Sequence, residues 1–498
     1  MTVNNKRSAK GHNSGTGRSE VPVACTCKDM TNRLPYYLND DPERINPFPK
    51  MFDVVIGHGE SGPLMVDKAL KKELDKKFKE VRNSFDSFEK ENETEAFIER
   101  YRKDVPGYYR HFMKNVAPRI EKEIGELFSG GYPKYMVTTG IGANELFTRF
   151  AASINNKNEK RRVTWFVLNS PKDLLTLPQD ANVDNTLFLD FSRSGVAEET
   201  IKIHEYTPKK TKRIVFTNGG PLMDLAIKDG NLFLDLPKEV SGRYGRNKTP
   251  ILLAPMFVAG MDAAKHWKDI QKAIRAFDIE DENSLPFVIA KFIYTSRMVN
   301  DINLIYLGCN DDDIGLLGDQ FLQFWNEGVN RPGNDMMVSR FFGLPRDSHM
   351  SIEGILGNHK TKMGFFLLRT NMRTKKKHPL VSAVPAVNDP DHKGLQFGDE
   401  DVIFAMANYK ILAEHMPTLL IGVPGEITME HSAVLGQLFA DVTFIYSRMI
   451  GVDPGSNPEV EDIRTASTSF LSSAAKEMRE NKLSIEKAAR KLPEKPID

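Results

Sequence analysis

Tyr135–Gly142 reads YMVTTGIG and Leu187–Gly195 reads LFLDFSRSG. Each is a short apolar run that stops at glycine or serine and gives way to helical spacing. Runs this short, rich in β-branched and aromatic residues, suit strands buried on both faces. Working outward, Val163–Leu168, Ile214–Phe216 and Leu232–Leu236 repeat the pattern. Strands alternating with helices imply a parallel sheet covered by helices. The alternation returns later in Leu304–Leu307, Gly364–Leu368 and Leu419–Val423. The expected class is α/β: two doubly wound parallel-sheet domains with an N-terminal helical segment and a C-terminal helix.

The chain has 498 residues, too many for one ordinary core. The expected division is a disordered segment over 1–40 and a helical segment over 41–115. A first, smaller domain follows over 116–264 and a second over 265–465, then a C-terminal helix and tail over 466–498. Residues 65–103 carry dense charge around Leu70, Leu74, Val81 and Phe85, the pattern of amphipathic surface helices. The formal net charge is +1, so no broad basic field points to nucleic acid. No run approaches the roughly 18 apolar residues of a membrane-spanning helix. The three cysteines, Cys25, Cys27 and Cys309, do not make a disulfide framework, which fits a reducing cytoplasm. Cys25 and Cys27 lack the further ligands that a stable zinc site needs.

In an open parallel sheet, ligands sit beyond the C-terminal strand ends, where the next helix offers free N–H groups. Gly140-Ile141-Gly142-Ala143-Asn144 has that form and lets backbone approach a ligand closely. It lacks the third glycine of a dinucleotide fingerprint, so no nicotinamide cofactor is expected. A plain strand-ending turn is the competing reading. Ser192-Arg193-Ser194-Gly195, followed by Glu198-Glu199-Thr200, offers two hydroxyls, a guanidinium and fresh helix amides to an anion. It reads equally as a serine-rich helix cap with acidic residues in the first turn.

Taken in chain order, these segments resemble the phosphoglucose isomerases. The family's glycine-rich strand end and its serine-rich phosphate loop stand here as GIGAN and SRSGVAEET. Its arginine turn stands as Ser241-Gly242-Arg243-Tyr244-Gly245, ahead of an apolar helix from Pro250 to Ala259. Its glutamine four residues before a glutamate is matched by Gln323 and Glu327. A histidine some twenty residues on is matched by His349. Gly436-Gln437-Leu438, Gly451-Val452-Asp453-Pro454 and Asn457–Arg464 resemble its C-terminal motifs. The resemblance spans about 137–464. It implies two sugar isomerase (SIS) domains and a homodimer in which the histidine reaches the neighbouring subunit's site. The implied activity is interconversion of glucose 6-phosphate and fructose 6-phosphate, with no cofactor and no metal.

The resemblance also assigns roles. Aldose–ketose isomerisation needs a carboxylate base, which falls to Glu327, with Gln323 one helical turn away on the same face. Arg243 would stabilise the enediolate and His349 would assist ring opening. Arg464 stands where the family has a lysine at the ligand. Gly142, Ala143, Asn144, Ser192, Arg193, Ser194 and Gly195 would bind substrate. Each has an ordinary alternative: a solvated glutamate, a structural ion pair, a surface histidine, an arginine on a C-terminal helix.

The departures from the family pattern cluster on this site. Ala143 and Asn144 replace a Gly-Ser pair, and Val196 and Ala197 replace threonines that help hold phosphate. Gly328 replaces the serine after the base, Asn457 a glutamine, and Arg193 and Arg331 lysines. Arg464 keeps the lysine's charge but scarcely gives up a proton. Another anionic sugar, or ligand binding without turnover, therefore stands beside the first reading.

Overall fold

The computed structural model describes residues 46–57, 68–84, 102, 107–236, 242–245, 248–329, 337–343, 353–357, 359–373, 394–454 and 458–490. Within some helices and strands only the backbone is described, as at Ala143, Arg243 and Arg464. The segment 1–40, Cys25, Cys27, Arg331, His349 and Asn457 lie outside the described residues.

Strand β1 (Asp53–Gly57) and helix α1 (Lys68–Ser84) come first, then a π-helical turn at Phe112–Val116 leading into α2 (Ala117–Leu127). The first sheet is built from β2 (Tyr135–Thr139), β3 (Thr164–Leu168), β4 (Thr186–Phe191), β5 (Lys212–Phe216) and β6 (Leu232–Leu234). Between them run α3 (Ala143–Lys157), α4 (Glu198–Tyr206) and α5 (Gly220–Lys228). All pairings are parallel, in the order β3-β2-β4-β5-β6. Every residue of β2 and β4 is buried, which explains their mostly apolar runs without alternation.

A helical turn at Gly242–Gly245 precedes α6 (Pro250–Ala259), α7 (Ala263–Ala276) and α8 (Leu285–Asn300). The second sheet contains β7 (Leu304–Cys309), β8 (Met337–Gly343), β9 (Lys362–Arg369) and β10 (Thr418–Val423). Its helices are α9 (Asp312–Gly328), α10 (Asp399–His415) and α11 (Met429–Ile450), followed by α12 (Pro458–Asn481) and α13 (Ile485–Ala489). The strand order is β1-β10-β9-β7-β8.

The second sheet differs from expectation in two places. It is parallel except at one edge, where β1 runs antiparallel to β10, with Val55 opposite Leu420. The stretch expected to be purely helical thus supplies a strand, through its β-branched run Val54-Val55-Ile56. At the other edge β8 pairs with β7; its apolar run is interrupted by Ser339-Arg340, as an edge strand tolerates.

The core gathers around α11, whose residues are buried for nearly their whole length. Its Phe439 and Tyr446 meet Phe321 and Trp325 of α9, with ring centroids 5.4 and 4.6 Å apart. Such edge and tilted contacts add to the burial of large apolar area. Among the described residues no helix is long and apolar enough to cross a membrane.

Helices α3 and α9 join the two sheets as an antiparallel pair. Phe147 of α3 packs on Phe324 of α9, 6.2 Å between centroids. At the far end Ser153 Oγ donates to Asp313 Oδ1 at 2.6 Å, and Lys157 pairs with the same carboxylate. Asp313 is buried, so this link fixes the sliding register of the two helices.

Candidate active site

In the first sheet the strand order reverses between β2 and β4: the chain leaves β2 toward β3 on one side and β4 toward β5 on the other. A crevice forms where such connections diverge at the C-terminal strand ends. Both loops singled out in the sequence lie there, Gly140–Asn144 after β2 and Ser192–Gly195 after β4.

Gly142 caps α3 with φ of 62°, a left-handed conformation that favours glycine. Its carbonyl accepts from Glu145 N and Leu146 N at 2.9 and 3.2 Å. The leading amides of Ala143 and Asn144 precede this bonding and sit at the positive end of the helix. Asn144 is buried, and its Oδ1 finds no hydrogen-bond partner among the described residues.

The second loop is held by its own backbone. Ser192 N donates to Phe216 O at 3.1 Å, and Ser192 Oγ accepts from Ala197 N at 3.2 Å. The Ser192 hydroxyl thus braces the chain just ahead of α4, whose N-cap is Ala197 and carries no side-chain cap. Arg193 and Ser194 point outward and are exposed. Gly195 has φ of 71°, and a Cβ there would stand 1.7 Å from Gly219 O. The loop thus interlocks with a third one, Thr217–Gly220 after β5, where Asn218 N donates to Arg193 O at 3.0 Å. Sequence reasoning missed this third loop; Asn218-Gly219-Gly220-Pro221 after an apolar run was the available signal. Thr200, in the first turn of α4, keeps a buried hydroxyl without a partner among the described residues.

Helix α9 brings the candidate base to this edge. Gln323 Nε2 donates to Glu327 Oε1 one turn along the same helical face, and both residues are half-buried. A Cβ on Gly142 would lie 3.4 Å from Gln323 Nε2, so the first loop and the Gln323–Glu327 pair adjoin. The turn at Gly242–Gly245 docks beside them, because the Tyr244 ring packs 5.4 Å from that of Phe324. The backbone of Arg243 is therefore next to α9. Gly142, Gln323, Glu327 and the arginine turn are brought together; the Ser192–Gly195 loop shares the sheet edge with Gly142. Arg464 has its backbone in α12.

No family model matches the chain. Over 255 residues the chain is 25% identical to the glucose-6-phosphate isomerase of Methanocaldococcus jannaschii, covering 48% of this chain and 61% of that protein. It is 23% identical over 263 residues to a probable glucose-6-phosphate isomerase of Methanococcus maripaludis, covering 49% and 58%. These matches span about three fifths of the relatives' own length. A glucose-6-phosphate isomerase crystal structure from Chlamydia trachomatis shares the fold at a TM-score of 0.65, covering 88% of this chain and 93% of that one at 11% identity. A hypothetical protein from Thermus thermophilus does so at 0.61, covering 84% and 99% at 18% identity.

The chain is thus similar in sequence to archaeal glucose-6-phosphate isomerases and shares the fold of a bacterial one. One departure from the phosphoglucose isomerase pattern has a packing cause. A Cβ at Gly328 would lie 3.0 Å from Thr443 Cγ2 and 3.3 Å from the Tyr244 hydroxyl. Tyr244 and Thr443 occupy the room that the family's serine needs, and glycine lets the arginine turn, α9 and α11 close together.

Proposed function

We propose that the protein is an aldose–ketose isomerase that interconverts glucose 6-phosphate and fructose 6-phosphate. The observation that carries this reading is the Gln323–Glu327 pair on α9, set against Gly142 at the divergence of β2 and β4. In this mechanism Glu327 takes the proton from C2 of the open-chain aldose. The electron pair forms the C1–C2 double bond and the former carbonyl oxygen O1 becomes anionic. Glu327 returns a proton to C1, while the O2 proton passes to O1 and O2 becomes the ketone. Gln323 orients the carboxylate. Arg243 and the leading amides of α3 stabilise the developing anion. His349 of the partner subunit assists ring opening, and Arg464 contributes charge near the ligand. The phosphate is received by Ser192–Gly195, with no cofactor and no metal in the cycle.

A second copy is part of this proposal. On α10 the residues Ile403, Phe404 and Ile411 remain about half exposed, an apolar strip that suits a subunit contact. A second reading, binding without turnover, is favoured by Val196 and Ala197, which bring no hydroxyl to the phosphate loop, and by Glu198 and Glu199 in the next turn. A panel of sugar phosphates assayed for interconversion separates the two. Turnover of the glucose and fructose 6-phosphate pair supports the first, turnover of another pair relocates the substrate, and binding without turnover favours the second.

A further inference from the structure

Beneath the ligand loops lies a charged cluster that the proposed chemistry does not use. Asp190, next to last in β4, is wholly buried. Its register partner is Thr139, the last residue of β2, and Thr139 Oγ1 donates to Asp190 Oδ1 at 2.9 Å. Asp190 Oδ2 accepts from Arg213 Nη1 of β5 at 2.6 Å and faces His204 Nδ1 of α4 at 3.1 Å. His204 Nε2 in turn lies 3.3 Å from Asp229 Oδ2, just past α5. Arg213 also reaches Thr207 and lies 4.7 Å over the Phe188 ring.

A buried carboxylate is an expensive way to fill space, since apolar residues of similar volume avoid the desolvation cost. Burial pushes the Asp190 carboxyl up, but Arg213, His204 and Thr139 together hold it below its ordinary range. The elements it ties are those that carry the loops. Strand β2 runs into Gly140–Gly142, β4 into Ser192–Gly195, and β5 into the Thr217–Gly220 loop that interlocks with Gly195. Helix α4 offers its N-terminus to the same crevice.

We propose that Asp190 is the positioning residue of the anion site, setting the mutual placement of the three loops and the α4 N-terminus that close around a substrate's phosphate. It acts through Thr139, Arg213 and His204 and does not touch the ligand. This inference rests on the sugar-phosphate reading above.

The test is calorimetric titration of the full chain with fructose 6-phosphate and with inorganic phosphate, well below the unfolding temperature of each variant, together with steady-state kinetics. Asp190→Asn is expected to weaken fructose 6-phosphate binding about tenfold, the scale of one charged hydrogen bond, with kcat changed less than about threefold. Thr139→Val, which leaves the charged groups in place, is expected to weaken it about threefold. Asp190→Leu/Arg213→Met should regain thermal stability over Asp190→Asn without regaining affinity. Wild-type affinity in Asp190→Asn and Thr139→Val, or recovery of affinity together with stability in the double variant, overturns the proposal. Failure of the wild type to bind either ligand overturns the sugar-phosphate reading itself, and this inference with it.

Discussion

The side-chain amide of Gln323 stands 3.4 Å from the point that a Cβ on Gly142 would occupy, and the same amide donates to the carboxylate of Glu327. A loop from the first sheet and a helix from the second thus meet over one side chain. The candidate base is oriented by a contact between the two halves of the chain.

Gly142→Ala tests that contact. The left-handed backbone costs a non-glycine residue about 1–2 kcal/mol, and the added methyl presses on Gln323. The expected outcome is a fall in kcat of about tenfold or more, since misplacing a catalytic group is costly. Unfolding and kinetics on the same preparation check this. A loss of stability with an unchanged kcat would remove Gly142 from any part in placing the base.

Gly328→Ser restores the family's residue into space that Tyr244 and Thr443 fill. Overpacking of this kind costs about 1–3 kcal/mol. Denaturant midpoints should fall, and Gly328→Ser/Thr443→Ala should regain part of the loss by vacating the nearer contact.

Asp313 holds the far end of the same helix pair through Ser153 and Lys157. Asp313→Ala removes a buried carboxylate with two partners and should cost about 1–3 kcal/mol in urea denaturation. If register matters to the site, kcat/KM falls as well, although residue 313 lies at the opposite end of α9 from Glu327.

The alternation of strands and helices was legible because β2, β4, β5, β7, β9 and β10 each carry a short, mostly apolar run followed by a turn or loop. β1 and β8 were not, because edge strands need only part of the apolar run that a central strand requires. Gln323 and Glu327 were singled out by the family resemblance, and their four-residue spacing then put them on one helical face. The meeting of Gln323 with Gly142 could not be read this way, since the two residues lie 181 positions apart (323 − 142) and meet only through the packing of α3 on α9. Asp190, His204 and Arg213 carried no local signal either: a lone aspartate inside LFLDF breaks the strand pattern, but its partners come from other elements.

Lys248 gives a pH-dependent prediction. It is buried ahead of α6, and burial pulls its ammonium down to about 7, against the attraction of Asp441. An unfolded lysine titrates near 10.4. Between about pH 7 and 10.4 the unfolded chain therefore holds more protons than the folded one, so this group's contribution to stability rises with pH across that window. Below it the cost of burying the charge is at its full value. Lys248→Met should raise the urea midpoint most at pH 6, with the gain shrinking toward pH 10. An equal gain at both values would mean that the lysine keeps its ordinary ionisation in the fold.

Transfer of the C2 proton of a sugar phosphate by Glu327 is read directly by solvent exchange. With glucose 6-phosphate in deuterated water, followed by proton NMR, the wild type is expected to exchange the C2 hydrogen as it forms fructose 6-phosphate. Glu327→Gln, with the fold intact by circular dichroism, should still bind the ligand while exchange slows by about 10²-fold or more, as loss of a general base requires. Exchange in Glu327→Gln at the wild-type rate, or binding of the ligand by the wild type with no exchange at all, would contradict the account.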